Sequence, residues 1–506
     1  MLIRHDKKSI FFTVCFLFFT FNSVCFSGEE SQDIILRAKS YLNEHKYEQA
    51  LGSLDGYSSS KSLDEKKLLL RGICYVWLEE WDKAKGEFNK IASISGEIGD
   101  VQCPKPLRLN NPPSEDEFYA KRFTVDDMRY LWRSLWAENI ASRICKGKNS
   151  PMEKAVSILD YVFRQVKFGT NKQGFLTDKP FNVLIKSQGF CDEQSWILNQ
   201  LLRSAGFDAL RLLLVSPLKP TSPHTISMVK IEENWIPMDP SYGIILQGAG
   251  SGLPKTFPKN FLINPSEEDY KKFGGKLLFS IKEYGEALRE LGYYENLISE
   301  ISHARPAFDY EFEAYTPRFI WLAEKIDKVY PIKGLSHRYV NLRFPTTDFK
   351  TDDIIKWRTL ELQYIFDSTE KRNRLIREES SRRFAYLEPL RKARLEHLRG
   401  HLHSAEEMFI SLQSSESLSL KACEDVSYYL GVIAFDEGNY QKAKKRFSKF
   451  LLEFPATRWK DRVLYHEALI ANMEGRDDDV AELITECRQA SEGSLFNWMI
   501  ALDKRR

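Results

Sequence analysis

At 506 residues the chain exceeds what a single hydrophobic core supports, and three or four domains are expected. Hydrophobic residues make up 43% and charged residues 28%, with no long polar tract, which excludes a largely disordered chain. A formal net charge of +2 favours neither nucleic acid nor an anionic membrane surface, so no nucleic-acid partner is expected.

Arg4, Lys7 and Lys8 precede an apolar run over 10–21. A run of about a dozen residues is too short to span a bilayer, which takes roughly 20, and it reads as a secretory signal. Residues 1–27 are therefore assigned to a signal peptide, cleaved after Cys25 or Ser27. The mature chain is expected to be exported, periplasmic or extracellular, without stable membrane insertion. Lipid anchoring at Cys25 is disfavoured, because Asn22, Ser23 and Val24 lack the leucine and the small residue such sites carry. Of eight cysteines, Cys74, Cys103, Cys145, Cys191, Cys423 and Cys487 then remain. Cys103 with Cys145 is the pair that flanks one predicted domain. A free Cys191 leaves five that cannot all pair, so the pattern is not a disulfide framework.

Residues 31–98 hold two copies of one pattern, Tyr41, Tyr47, Ala50 and Leu54 being matched by Tyr75, Trp81, Ala84 and Phe88 at a displacement of 34 residues. Each copy reads as two amphipathic helices around a polar break. The period is that of tetratricopeptide repeats, which these copies resemble. The stretch 101–265 follows with a different texture. Helices are expected over 125–165, where Met128, Leu131, Leu135 and Ile140, then Ala155, Ile158, Leu159 and Val162, keep helical spacing. Another helix follows Gly189, with strands at 208–215, 224–231 and 235–238, an α+β order. Residues 266–385 read as a mostly helical connecting region without an assignable function. Over 386–506 the repeat grammar returns, strongest at Leu430, Gly431, Gly438, Tyr440, Ala443, Phe447 and Pro455. A divergent copy precedes it at Gly400, Ala405 and Phe409, and another follows at Ala468, Gly475 and Val480. These repeats are expected to recruit protein partners and to depend on docking against the central domain for stability.

Cys191 opens the predicted helix that runs through Leu201 and Leu202 to Gly206, a natural C-terminal cap. The exposed amides and positive dipole end there stabilise a thiolate and lower the thiol pKa, with Asp192 and Glu193 in partial opposition. A basic partner comes from the next constellation. The strand that starts at His224 turns at Glu232-Glu233-Asn234 and returns through Trp235 to Asp239-Pro240. In such a hairpin His224 and Asp239 are cross-strand neighbours within a residue or two. A carboxylate beside imidazole fixes its tautomer and supports the imidazolium that holds a cysteine as thiolate. Gln188 and the Cys191 amide are candidates for an oxyanion hole. His397, His401 and His403 lie in repeat sequence without cysteines at metal spacing, and a surface position is expected for them. No metal or other cofactor is indicated.

Residues 125–245 resemble the transglutaminase-like superfamily, a papain-related fold. The resemblance rests on Gly189-Phe190-Cys191-Asp192, on Leu201 through Phe207, on Leu210-Arg211-Leu212, on His224, and on Trp235 through Asp239-Pro240. It implies a catalytic triad of Cys191, His224 and Asp239 acting by acyl transfer through a thioester. The surroundings lack the Gly-Gln-Cys-Trp of animal crosslinking enzymes, which speaks against crosslinking. The expected architecture is multidomain, a transglutaminase-like (papain-like) α+β core with all-α tetratricopeptide-like repeats at both ends. The expected function is that of a thiol peptidase or amidase acting on a protein or peptide substrate. The alternative is a non-catalytic interaction scaffold, and thiol reactivity separates the two.

Overall fold

The computed structural model describes residues 28–55, 61–95, 120–168, 180–215, 224–245, 303–307, 316–335 and 389–487, apart from positions 233, 242, 334, 416, 417, 419 and 484, together with residue 490. The assigned signal, Cys103 and most of 266–385 lie outside the described residues. Cys145 is a free thiol. The chain forms two units, one comprising residues 1–101, 121–132 and 324–331, the other the remainder.

In the first unit α1 (Gly28–Asn43) pairs with α2 (Tyr47–Leu54), and α3 (Lys61–Trp77) with α4 (Trp81–Ser95). These are the two hairpins expected from the 34-residue period. The chain turns through left-handed residues His45 and Glu79, both at φ 59. At each turn a backbone bond closes from five residues on, Lys46 N to Tyr41 O at 2.8 Å and Glu80 N to Tyr75 O at 2.9 Å. Close approach of α3 and α4 requires Gly72, since a Cβ there would stand 2.5 Å from Cε1 of Phe88.

The second unit holds most of α5 (Val125–Cys145) and then α6 (Pro151–Gln165), which starts at a capping box. Ser150 Oγ accepts from Glu153 N at 3.1 Å, and Glu153 accepts from Ser150 N at 3.0 Å. A two-residue parallel ladder joins β1 (Lys167–Phe168) to β2 (Gln188–Gly189), with α7 (Pro180–Lys186) between them. Helix α8 (Cys191–Ser204) follows and ends, as expected, at Gly206 with φ +95. The strands β3 (Ala209–Val215), β4 (His224–Ile231) and β5 (Asn234–Asp239) fall within a residue of their expected positions. With β6 (Ile244–Ile245) and β7 (His303–Ala307) they form an antiparallel sheet of order β6-β5-β4-β3-β7. Strand β7 lies within the stretch 266–385 read as a mostly helical connection, of which few residues are described. It carries Pro306 at the sheet edge, where a missing N–H is tolerated, and its five residues have no alternating pattern to announce a strand. Helix α9 (Pro317–Val329) lies further along the same stretch.

The C-terminal region forms helical hairpins from residues 389–399 with α10 (Leu402–Gln413), α11 (Leu420–Asp436) with α12 (Tyr440–Glu453), and α13 (Lys460–Met473) with helical residues from 477. Gly400, Gly438 and Gly475 all turn at positive φ, with the same closing bond, as Asn439 N to Ala434 O at 2.9 Å. Gly431 repeats the role of Gly72, for a Cβ there would stand 2.4 Å from Cε1 of Phe447. In both hairpins the phenylalanine follows the glycine by 16 residues.

Helices α10 and α12 bury one stripe, whereas α13 is buried from Asp461 to Ala471 except at Glu467. A helix buried all round needs cover on two sides. The second cover is α6 and β1. The Arg462 guanidinium lies 3.9 Å from the Phe163 ring centroid, Tyr465 meets Phe163 edge to face at 5.1 Å, and Tyr465 Oη donates to Asp160. Arg164 pairs with Asp436 at 3.1 Å, and Lys167 with Asp461 at 2.9 Å. His397 departs from its expected surface position. It is buried, accepts from Arg394 at Nδ1 (2.5 Å) and meets Asp436 at Nε2 (2.9 Å), and burial together with the guanidinium pushes its pKa down to about 4, so it is neutral. His401 and His403 are exposed as expected. His397 is drawn inward because it fills the joint between repeat and α/β domain, a contact no local pattern encodes.

Asp461 faces two cations, Lys167 and Arg462 (3.1 Å), which hold its carboxyl below the usual range against the effect of burial. Asp461→Ala is expected to lower stability by about 3–5 kcal/mol, because Lys167 and Arg462 lose their shared carboxylate in a buried joint. Lys167→Met with Asp461→Leu should recover part of the loss, Arg462 still lacking its carboxylate. Urea unfolding midpoints of the three proteins check this.

Candidate active site

The position of Cys191 follows from how α8 begins. Strand β2 ends at Gly189, where a Cβ would stand 2.5 Å from Val183 Cγ1, and Phe190 is the extended N-cap. The Glu193 carboxylate turns back to accept from the Phe190 N–H at 2.9 Å. Glu193 is thereby used in capping the helix. Asp192 is also engaged: its carboxylate accepts from the backbone N–H of Glu193 and of Asp192 itself, and the fully buried Arg211, its guanidinium 5.5 Å from the Trp196 centroid, faces it while donating to the Asp192 backbone carbonyl at 3.4 Å. Burial raises the Asp192 carboxyl pKa and the Arg211 charge opposes that rise. The two acidic residues expected to work against a thiolate are thus held in local structure.

One turn into α8, Ser195 exchanges two hydrogen bonds with β4. Ser195 Oγ donates to Thr225 O at 3.0 Å, and Ser227 Oγ donates to Ser195 O at 3.2 Å. They set the helix that opens at Cys191 against the strand that opens at His224. Across the hairpin Ser227 pairs with Met238, which places Ile226 opposite Asp239 and His224 one diagonal step away on the same face. The register differs by two residues from a direct His224–Asp239 pair, within the expected margin. An even offset keeps both side chains on one face. His224 Nε2 meets Asp239 Oδ2 at 2.7 Å, both residues being buried. His224 is also hydrogen-bonded to Cys191, which is half-buried. Asp239 takes Nε2, so Nδ1 is the ring nitrogen left for the sulfur.

Burial disfavours the His224 imidazolium, yet the charge and hydrogen bond of Asp239, followed by those of Cys191, outweigh it and push the pKa up to about 10. An imidazolium flanked by a carboxylate and a sulfur is the arrangement of an activated cysteine.

Two positioning side chains escaped the sequence reading. Ser241 N donates to Asp239 Oδ1 at 2.9 Å, which occupies the second carboxylate oxygen. Ser241 Oγ donates to Gln194 Oε1 at 2.7 Å, and Gln194 Nε2 donates to Val166 O at 3.0 Å. Gln194 lies on α8, so helix and acid loop are tied together. The Asp-Pro-Ser spacing signals the local turn at Ser241. Nothing local signals Gln194. The carboxamide oxygen of Gln188, the oxyanion candidate, accepts from Arg458 Nη1 at 2.9 Å.

Residues 138–240 match the model of the transglutaminase-like superfamily, and residues 425–457 match that of a tetratricopeptide repeat. The chain carries a transglutaminase-like domain. That domain match spans Cys191, His224 and Asp239, and the repeat points to protein partners. No curated protein and no solved structure matches the chain. Among the described residues, no helix is long and apolar enough to cross a membrane.

The raised His224 pKa has a consequence for the stability of the transglutaminase-like domain. A folded-state value of about 10 against an ordinary 6.5 means that the pair's contribution is full below pH 6.5 and is lost as pH rises through about 10. Asp239→Asn should lower stability at pH 6 by more than about 1.4 kcal/mol, the equivalent of one pKa unit, and flatten the decline between pH 7 and 10. Urea midpoints measured across that range check both expectations.

Proposed function

We propose that the protein is a thiol enzyme of transglutaminase-like type that cleaves or transfers an amide acyl group through a thioester on Cys191. The observation that carries this reading is the chain of contacts from Cys191 to His224 to Asp239 at the start of a buried helix. Cys191 Sγ attacks the amide carbonyl, and the carbonyl electron pair moves onto oxygen. The Cys191 amide and the Gln188 carboxamide are the candidate donors to that oxyanion. His224 passes its proton to the leaving amine as the thioester forms. Water, or an acceptor amine, then attacks the thioester while His224 takes its proton. Asp239 keeps the imidazole ring oriented and supports its charged form throughout.

A papain-like arrangement of the core fits this reading, with α8 set against an antiparallel sheet. The N-terminal hairpins fit as divergent tetratricopeptide repeats, because Gly72 with Phe88 repeats the packing of Gly431 with Phe447. The substrate is a protein or peptide, with further protein partners met through the repeats. The signal read over residues 1–27 supports an exported enzyme, and the thiol chemistry fits a peptidase or amidase. The competing reading is a scaffold that keeps the fold without using the thiol.

Iodoacetamide separates the two readings. Burial pushes the Cys74 thiol up to about 12, raises that of Cys145, and encloses Cys487. Cys191 should be alkylated at neutral pH at least about tenfold faster than Cys74, Cys145, Cys423 or Cys487, and His224→Ala should remove that advantage. Peptide mapping after timed labelling gives the rates. Equal rates at all five thiols would favour the scaffold.

A further inference from the structure

Lys167 and Gln188 face each other as the first pair of the β1–β2 ladder, and both side chains reach into the C-terminal repeat region. Lys167 Nζ meets Asp461 at 2.9 Å, while Gln188 Oε1 accepts from Arg458 Nη1 at 2.9 Å. Two residue pairs of ladder do not hold their own position in water, since even a full hairpin is marginal alone. The repeat therefore contributes to fixing the segment that leads into Cys191. Gln188 stands three residues before the sulfur.

Arg458 is itself tightly held. Its Nη2 donates to Asp425 Oδ1 at 2.5 Å, and Trp459 Nε1 donates to the same oxygen at 2.9 Å. The guanidinium lies 4.8 Å from the Trp459 ring centroid, and buried Trp459 stacks on Tyr428 at 4.3 Å with 4° between the planes. The Arg458 N–H donates to Glu424 Oε1 at 3.1 Å. The arginine is thus oriented by neighbours within the repeat as well as by Gln188. A guanidinium only donates, so the Gln188 carboxamide presents its oxygen to Arg458 and turns its Nε2 donor away from it.

We propose that Arg458, supplied by the C-terminal repeat, is a positioning residue of the thiol site that orients the Gln188 carboxamide as an N–H donor to the oxyanion of acyl transfer. The proposal rests on the thiol-enzyme reading above. In the step concerned, Cys191 Sγ bonds to the acyl carbon and the carbonyl π pair becomes the oxyanion that Gln188 meets. The pair then returns as the leaving group departs with the electrons of its bond to carbon. The repeat thereby supplies part of the catalytic geometry in addition to any partner it binds.

Two small reagents isolate this role. p-Nitrophenyl acetate acylates a thiolate through an oxyanion and releases p-nitrophenolate, whereas iodoacetamide alkylates it by displacing iodide without forming one. Arg458→Met is expected to slow acylation of Cys191 at least about tenfold, part of the roughly 100-fold that a misplaced catalytic group loses, while alkylation stays within about twofold. Gln188→Ala should match that loss, the double variant should lose no more, and Arg458→Lys should recover part of it. Where Arg458→Met melts below the assay temperature, Asp425→Asn carries the same expectation, since it loosens the arginine and keeps an acceptor for Trp459. Unchanged acylation in Arg458→Met, an equal fall in both reactions, or additive losses with Gln188→Ala would overturn the proposal. If wild type and Cys191→Ala are acylated alike, the thiol-enzyme reading fails first and takes the proposal with it.

Discussion

The two hydrogen bonds that Ser195 exchanges with β4 fix the helix opening at Cys191 against the strand opening at His224. Both are buried, where a hydroxyl left without a partner would be strongly disfavoured, so helix and strand have little freedom to slide. From this seat the rest of the site follows. His224 meets the sulfur on one side and Asp239 on the other, and Ser241 with Gln194 returns the acid loop to the same helix. The geometry is enclosed by a closed circuit of hydrogen bonds running from α8 through the sheet and back to α8.

The joint between the α/β domain and the C-terminal repeat is rich in buried charge. Arg164 with Asp436 and Lys167 with Asp461 lie where an apolar pair of the same volume would stabilise the fold as well or better. What charges add is selectivity of placement, because Lys167 meets Asp461, and Arg164 adds Asp436 to the Asp160 of its own helix, only when the repeat is in one register against α6 and β1. For a two-residue ladder that leads into the nucleophile, that selectivity matters more than a gain in stability. The same joint explains why α13 is buried on nearly every face and cannot offer an open binding surface. Surface for protein partners is left on the outward faces, including α10 and α12.

The helical hairpins of the first unit and of the C-terminal region use the same two devices. One is a left-handed residue between the helices, His45 and Glu79 in the first unit and Gly400, Gly438 and Gly475 in the second. Glycine adopts that conformation without strain, so the N-terminal copies carry a small penalty that the C-terminal ones avoid. The other is the glycine that admits a phenylalanine ring from the facing helix, Gly72 to Phe88 and Gly431 to Phe447. The shared contacts make the N-terminal hairpins close structural counterparts of the matched repeat.

What the sequence determined by itself was what short-range chemistry encodes. Helix periodicity, the Gly206 cap and the hairpin that joins His224 to Asp239 were legible because each involves residues within about one element of one another. The tetratricopeptide grammar was legible because a helical turn and a close helix crossing demand particular residues at fixed offsets. The tertiary structure alone decided the rest. It added β7 to the sheet edge, drew His397 inside, and brought Arg458 to Gln188 across 270 positions of chain. An arginine after a repeat helix looks like any solvated side chain until the partner surface is present. Such contacts are selected by the packing of whole elements, where burial and charge pairing act between segments whose sequences carry no mark of each other.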